Sequence, residues 1–541
     1  VKAQCLPFSQ IPHTSALFSD FLSGNPKVRQ FYPRSARFSE WFRDAAANLK
    51  YDDARRNRVA DILERQNKSW GASSQTLVNI ARFRAGACVF ITGQQVGLFG
   101  GPLFTILKAL TAIKFADEAC RGGVDCVPVF WLASEDHDLA EVNHISLPNA
   151  DFSLQQISTS THGAANAQVG KIAFGPEITT AVEQAAQVLG DSEITSALRE
   201  IYRPGETFAG AFARLFARLF AGYGLVLLDG SDAELRAIAQ PIFQAAIERA
   251  AELDETLLAR GKALESAGYH QQVKITQSST LLFAIQNGER LPIHRKVNNG
   301  AGPEFSIGQE KLTLNQLQQR IAGAPENFSP NVLLRPVVQD YLFPTLSYAG
   351  GPAEVAYFAQ VAVVYERLLG KVTPVVSRLS ASLVPDKSNA LLEKYNLVFS
   401  NLFEGANALR EYVAARALPA DLRQAFENAS KDVERSLAEI RTALEKLDKT
   451  LVAASQTSAS KIHHQINRLR GKAVRAELLR NEIIDRHTRM LSNTLYPNKT
   501  LQEREIAAVY FLARYGLGLV QHLHETLRSD CLDHQLIPVS T

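Results

Sequence analysis

Cysteine is scarce. The 541 residues carry five, Cys5, Cys88, Cys120, Cys126 and Cys531, an odd number with no CxxC pair. That pattern argues for a reducing compartment and against a disulfide scaffold or a cysteine-rich zinc site. Cys88 and Cys126 sit in apolar runs and read as buried structural thiols. An excess of one charge is also missing. The net charge is only +3, so composition gives no reason to expect nucleic acid or an acidic membrane as partner. The basic segments RQNK and INRLRGK read as solvated helix faces. No apolar run reaches membrane-spanning length, and the first residues lack a basic stretch followed by an apolar one. A cytoplasmic protein is the expectation. With 46% apolar and 21% charged residues, the chain is globular with a large core, and its length suggests about three or four domains.

Several familiar site motifs are absent as well. The glycine-rich stretch TGQQVGLFGGP at 92–102 is not GxGxxG, and no GKS or GKT follows it. HDLAEVNH at 137–144 is not HExxH, and no cysteines stand ready to complete a zinc site, so no metal ligand is assigned.

What is present is a repeated strand–turn–helix pattern. A short β-branched run, Cys88 to Thr92, is stopped by Gly93. A helix follows near Pro102, with apolar Leu103, Ile106, Leu107, Leu110, Ile113 and Ala116. A second strand covers Val127 to Ala133, a third Leu225 to Leu228, and TPVVSR at 373–378 is another candidate. This order predicts an α/β fold with a Rossmann-like parallel sheet assembled from distant pieces. The expected organisation is an N-terminal helical part at 1–85 and the first core part at 86–149. A connecting insertion at 150–200, core at 201–234, a helical and β-hairpin insertion at 235–325 and core at 326–400 follow. A coiled-coil arm at 401–490 and a return to the core at 491–541 complete it. Asn287-Gly288 is the hairpin signal in the second insertion. In the arm, Val433, Leu437, Ile440, Leu444, Leu447 and Leu451 form a heptad seam. Ile462, Ile466 and Leu469 resume it after the polar ASQTSAS.

Three clusters carry chemistry. In the first, Gly93, Gly97, Gly100 and Gly101 could bring backbone amides and a helix start to an anion, with Gln94 and Gln95 adding neutral hydrogen bonds; a plain structural turn is the alternative. In the second, Glu135, Asp136, His137 and Asp138 crowd a strand end, followed by Glu141, Asn143 and His144. Such a group can bind an amine, handle a proton or cap a helix. In the third, Arg335, Gln339 and Asp340 precede Tyr348, Gly350-Gly351 and Glu354. Arg335 suits a substrate carboxylate, or a structural ion pair with Asp340 or Glu354. The second Gly-Gly-Pro repeats the first, so two glycine-marked helix starts could face one pocket.

These clusters also carry a resemblance. TGQQVGLFGGP at 92–102, FWLASEDHDLAEVNH at 130–144, VKITQSSTLLF at 273–283, RPVVQDYLFPTLSYAGGPAEVAYFAQ at 335–360 and KTLQER at 499–504 closely resemble the bacillithiol biosynthesis cysteine-adding enzymes, the cysteine ligase family. The markers run across nearly the whole chain. The resemblance implies a Rossmann-like catalytic core with two connecting insertions, a C-terminal coiled coil and a homodimer. It also implies a ligase that joins cysteine to glucosaminyl-malate through an amide bond. Because a free carboxylate is a poor acyl donor, ATP with Mg2+ is the expected activating cosubstrate, and no tightly bound cofactor is expected. His137 is assigned proton handling, with Asp136 or Asp138 orienting it and Gln94 positioning the substrate or the activated carboxyl group. The remaining polar residues of the three clusters except Glu141 are assigned to substrate and the glycines to the cosubstrate. Another ATP-dependent amide ligase or nucleotidyltransferase acting on an amino sugar, and a non-catalytic small-molecule-binding scaffold, are the competing readings.

Overall fold

The computed structural model describes residues 4–160, 166–298 and 301–540. They form two compact units, one of residues 1–147, 155–383 and 502–541, the other of 148–154 and 384–501.

The first unit is built on a five-stranded parallel sheet. Its elements, in chain order, are β1 (Cys88–Gln94), α1 (Leu103–Arg121), β2 (Cys126–Leu132), β3 (Val226–Asp229), β4 (Thr345–Gly350), α2 (Pro352–Leu369) and β5 (Val375–Ser377). The spatial order is β5-β4-β1-β2-β3, with every neighbouring pair parallel. From β1 the chain passes through α1 to β2 on one side, while β4 arrives on the other side. The order therefore reverses at β1, where open parallel sheets leave a crevice beyond their strand ends.

Both faces of the sheet are covered, which explains continuous apolar strands rather than alternating ones. On one face Phe90, Phe38 and Phe115 pack ring against ring. On the same face Phe130, two residues beyond the register partner of Phe90, meets Phe212 and Phe216. The α1 helix is buried almost all round, as a helix inside a large core must be. Cys88 and Cys126 are buried free thiols side by side in the β1–β2 register, as expected; Cys120 is free and exposed.

The second insertion changes from helix to sheet where the sequence pattern changes. Helices Ala233–Glu248 and Ala250–Ser266 lead into strands Ser279–Gln286, Glu289–Asn298, Ala301–Ile307 and Glu310–Thr313, and Phe328–Pro330 joins them in a five-stranded antiparallel sheet. Asn287 and Gly288 both have positive φ, 52° and 82°, at the predicted two-residue turn.

The helical unit runs from 384 to 501 apart from its short earlier segment, where the sequence pattern placed an arm at 401–490. Its long helices are α3 (Ala420–Leu447) and α4 (Leu451–Arg480). Two details of the seam differ from expectation. The turn falls at 448–450, where Asp448 leaves the helical region and accepts the Thr450 N–H at 2.8 Å, so Leu451 opens the second helix instead of extending the first. ASQTSAS is no interruption. Thr457 and Ser460 return their hydroxyls to the carbonyls of Ala453 and Gln456, four residues back, and the helix continues.

Two further observations bear on cellular setting. Among the described residues no helix is long and apolar enough to cross a membrane. Cys5 and Cys531 are joined as a disulfide, a link that the sparse, odd cysteine count did not announce. The link runs against the reducing compartment that the cysteine count suggested, although one disulfide does not make a scaffold. It ties the Gln4–Leu6 strand to the segment before its antiparallel partner, His534–Val539. Alkylation of the unfolded, unreduced protein should therefore label three thiols, and five after reduction, read by intact mass. Five labels without reduction would remove the link.

Candidate active site

A cavity of about 630 Å3 opens at the sheet's reversal point. Four segments reach it: the end of β1, the loop after β2, the start of the helix Arg335–Leu342, and the start of α2. Arg290, Arg378 and Arg504 close it from other parts of the first unit.

Gly93 is needed for close approach. A Cβ there would lie 2.8 Å from the Trp131 carbonyl oxygen of β2 and 3.6 Å from Arg335 Nη1. The next residue, Gln94, is fixed from below by Lys108 of α1. The Lys108 ammonium, almost wholly buried, donates to Gly93 O at 2.7 Å and Gln94 Oε1 at 2.9 Å and pairs with Glu354 Oε2 at 2.5 Å. Only the oxygen of an amide can accept from an ammonium, so the Gln94 NH2 is left as a donor. Burial pulls the Lys108 pKa down to about 8 against the opposing charge of Glu354. Glu354 is itself saturated. It accepts from Tyr348 Oη at 2.5 Å and from the Gly351 N–H at 2.8 Å, capping its own helix.

On the β2 side, Gln95 Nε2 donates to Asp136 Oδ2 at 2.8 Å and to Glu141 Oε2 at 2.9 Å. Burial works to raise the Asp136 carboxyl, but the Gln95 amide, the His137 N–H and the Arg290 charge outweigh it and hold the group below its usual range. Glu135 turns inward to a buried pair with Arg236 at 2.9 Å. Arg290 lies over the Phe283 ring and is anchored on Ser329 Oγ and Pro330 O.

The cavity thus brings together Gln94, Gln95, Glu135, Asp136, Arg335 and Glu354, with Gly93 and Gly351, all expected from sequence. Other expected residues lie elsewhere. His137 is not part of the lining. Its side chain is 40% exposed, with Nδ1 3.7 Å from Asp136 Oδ1. Asp138 caps the short helix Leu139–Val142 by accepting the Glu141 N–H, and His144 Nδ1 meets Asn143 Oδ1 at 3.3 Å. Tyr348 stands behind Glu354, stacked on Phe358. Gln339 and Asp340 are buried against each other, with Thr345, Thr373 and Tyr365 around the Asp340 carboxyl. Gly97, Gly100 and Gly101 are buried and their amides bond to Gln95 O, Gly97 O and Leu98 O, while the first amide of α1 is taken by Ile506 O. Gly350 precedes the lining and accepts the Arg378 N–H at its carbonyl. The tight glycine turn is spent on the chain itself, and its amides do not form an anion cradle.

Glu141 of the acid–histidine cluster also lines the cavity, and Lys108, Arg290, Arg378 and Arg504 are cavity residues outside the expected set. Lys108 carried a signal, since it is a charge inside an otherwise apolar helix pattern. Arg504 closes KTLQER, one of the stretches that carries the family resemblance.

A partly open cavity lined by carboxylates and arginines, at the switch point of a parallel sheet, defines a Rossmann-like enzyme for a small charged substrate. The chain belongs to the bacillithiol biosynthesis BshC family. Residues 1–379 match the family's N-terminal Rossmann-like domain and residues 381–539 its C-terminal coiled-coil domain. A Koribacter versatilis protein named "Putative cysteine ligase BshC" is 48% identical over 535 residues, 99% of each chain. Proteins of the same name from Solibacter usitatus and Geobacillus thermodenitrificans are 34% and 30% identical, covering 99% and 95% of this chain and 99% and 96% of their own.

Proposed function

We propose that the protein is a cysteine ligase of bacillithiol synthesis, joining the carboxyl carbon of cysteine to the amine of glucosaminyl-malate. The observation that carries this reading is the Asp136–Gln95–Glu141 wall. It presents carboxylates, one of them held ionised, to an incoming ammonium. In the same cavity the Gln94 NH2, its oxygen taken by Lys108, is left to bond the carbonyl oxygen on which charge develops. The ammonium must lose a proton before attack. On this reading Asp136 attracts the ammonium, and His137, partly exposed with Nδ1 3.7 Å from Asp136 Oδ1, passes the proton to solvent. In this proposal His137 acts through Asp136 and not against the reacting atoms.

The carboxyl group needs activation, and ATP with Mg2+ is the proposed cosubstrate. The glycine amides that could have held its phosphates are engaged within the chain, so no phosphate subsite is assigned and no step is drawn through it. Cytoplasmic residence is proposed with the pathway. Self-association through the arm is supported by its uncovered seam, with Ile440 51%, Leu447 78% and Leu469 60% exposed.

The purified protein with cysteine, glucosaminyl-malate and ATP should form the cysteinyl amide and release pyrophosphate in a cysteine-dependent way. No amide product defeats the reading; ADP and phosphate in place of pyrophosphate defeat the adenylate route. In single turnovers, His137→Gln should slow bond formation at least ~10-fold, the lower range for a proton-transfer group. An unchanged step would remove His137 from the proton path.

Lys108 sets an alkaline limit. Its ammonium holds Gln94 and Glu354 only while protonated, so this contribution is complete well below pH 8 and is lost as pH rises through about 8. The rate should fall on that limb. Lys108→Arg, charged throughout, should be slower at neutral pH and lack the limb. A limb that persists in the variant belongs to another group.

Solution mass measured over a range of concentrations should correspond to two copies, and Leu447→Glu with Leu469→Glu should shift it to one. A native protein that stays a single copy at every concentration rejects self-association.

A further inference from the structure

The basic part of the cavity has a charge imbalance that the chain does not resolve. Around Glu354 stand Lys108, Arg335, Arg378 and Arg504, each within electrostatic reach of that carboxylate or of one another. Two carboxylates, Glu354 and Glu503, face these four cations, which leaves two positive charges over.

Both carboxylates are also fully used. Glu354 is shared by Lys108, Tyr348 and the Gly351 N–H. Glu503, buried behind the wall, takes Arg378 Nη2 at 2.6 Å, Ser380 Oγ at 2.8 Å and the Ala381 N–H at 2.9 Å. Arg378 is thereby fixed, with its remaining fork on Leu379 O. Arg335 Nη2 donates to Tyr357 Oη at 2.9 Å, and the guanidinium also bonds to Tyr348. Arg504 lies 6.0 Å from the centre of the Phe104 ring, exposed to the cavity. Among the described residues no hydrogen bond or ion pair holds it. The Arg504 fork and the part of the Arg335 guanidinium not engaged by the two phenols thus remain for a ligand, a geometry suited to carboxylates.

We infer that Arg335 and Arg504, backed by Arg378, receive a dicarboxylate, the malyl end of the amino-sugar substrate, and that Arg504 is the residue that selects substrates carrying it. This rests on the ligase reading. The acidic wall then takes the amine, so the substrate lies between the two walls with one orientation. A phosphate has the same charge, but the helix N–H groups that favour phosphate are closed here, because Glu354 caps α2 itself. The single carboxylate of cysteine would leave one of the two charges unmatched.

The test uses the full-length protein in two parts. Calorimetric titration with L-malate and, separately, with inorganic phosphate should show malate binding the native protein more tightly. Arg504→Met should weaken malate ~10- to 100-fold, the range for charge-assisted hydrogen bonds. Arg504→Lys, which keeps the charge without the fork, should recover part of the loss. In turnover, the ratio of kcat/KM for glucosaminyl-malate to that for methyl glucosaminide, which has no carboxylates, should fall at least ~10-fold in Arg504→Met. A purely structural role would lower both substrates together and leave the ratio unchanged. Phosphate binding as tightly as malate, or an unchanged ratio, overturns the proposal. If the native protein makes no cysteinyl amide, the ligase reading fails on its own, and the malate titration still decides the receptor.

Discussion

The buried ammonium of Lys108 ties the site together. A cation that deep in a core costs several kcal/mol unless it is paired and fully hydrogen-bonded. The chain meets that requirement by bringing three acceptors to one point, two from the end of β1 and one from the start of α2. These elements lie on opposite sides of the sheet's reversal point and far apart in sequence. Satisfying one lysine therefore sets the crevice geometry, orients Gln94 and spends the carboxylate that would otherwise face the ligand. The lowered pKa of Lys108 is the same burial read as acidity.

The cavity walls divide by what stands behind them. Glu135 has Arg236 behind it, and Arg378 has Glu503; these residues are fixed by partners outside the cavity. Beyond Arg378 the network continues through Ser380 to His534, whose ring is bonded on both nitrogens by Ser380 and Ser382. Burial keeps that imidazole neutral, with its pKa lowered to about 4. By contrast, Asp136 and Glu141 are linked by a neutral amide, and Arg335 by a phenol. Charges compensated from behind serve as walls, and those held by neutral groups are left to attract a substrate.

The parallel core was legible because its strands are short β-branched runs buried on both faces, and Asn287-Gly288 announced its hairpin through the φ values that the turn demands. The arm was legible as a seam, but its turn was not. Asp448, Lys449 and Thr450 differ little from surface helix residues, whereas ASQTSAS looks like a break although its hydroxyls bond back along the helix. At the site, residues on strand ends could be found because strand ends carry sites. Arg378 and Arg504 could not be placed in the cavity, since an arginine in a strand edge or helix reads as solvated until its neighbours are known. The glycines misled for a related reason. Sequence shows where an amide can be offered, not whether another carbonyl, such as Ile506 O, has already taken it.

The interrupted sheet has a consequence for the order of assembly. β1 pairs early with β2, a short distance along the chain, but its other edge waits for β4. The Thr92 hydroxyl bonds to the Ala349 carbonyl across 257 residues of sequence. At ribosomal rates of ~5–20 residues per second, that interval lasts roughly ten to fifty seconds. For that time an apolar, fully buried strand stands with one open edge while both insertions are made. The delay marks a period when the nascent chain is exposed to wrong pairing, and it identifies the central strand as the part that chaperones would have to shield.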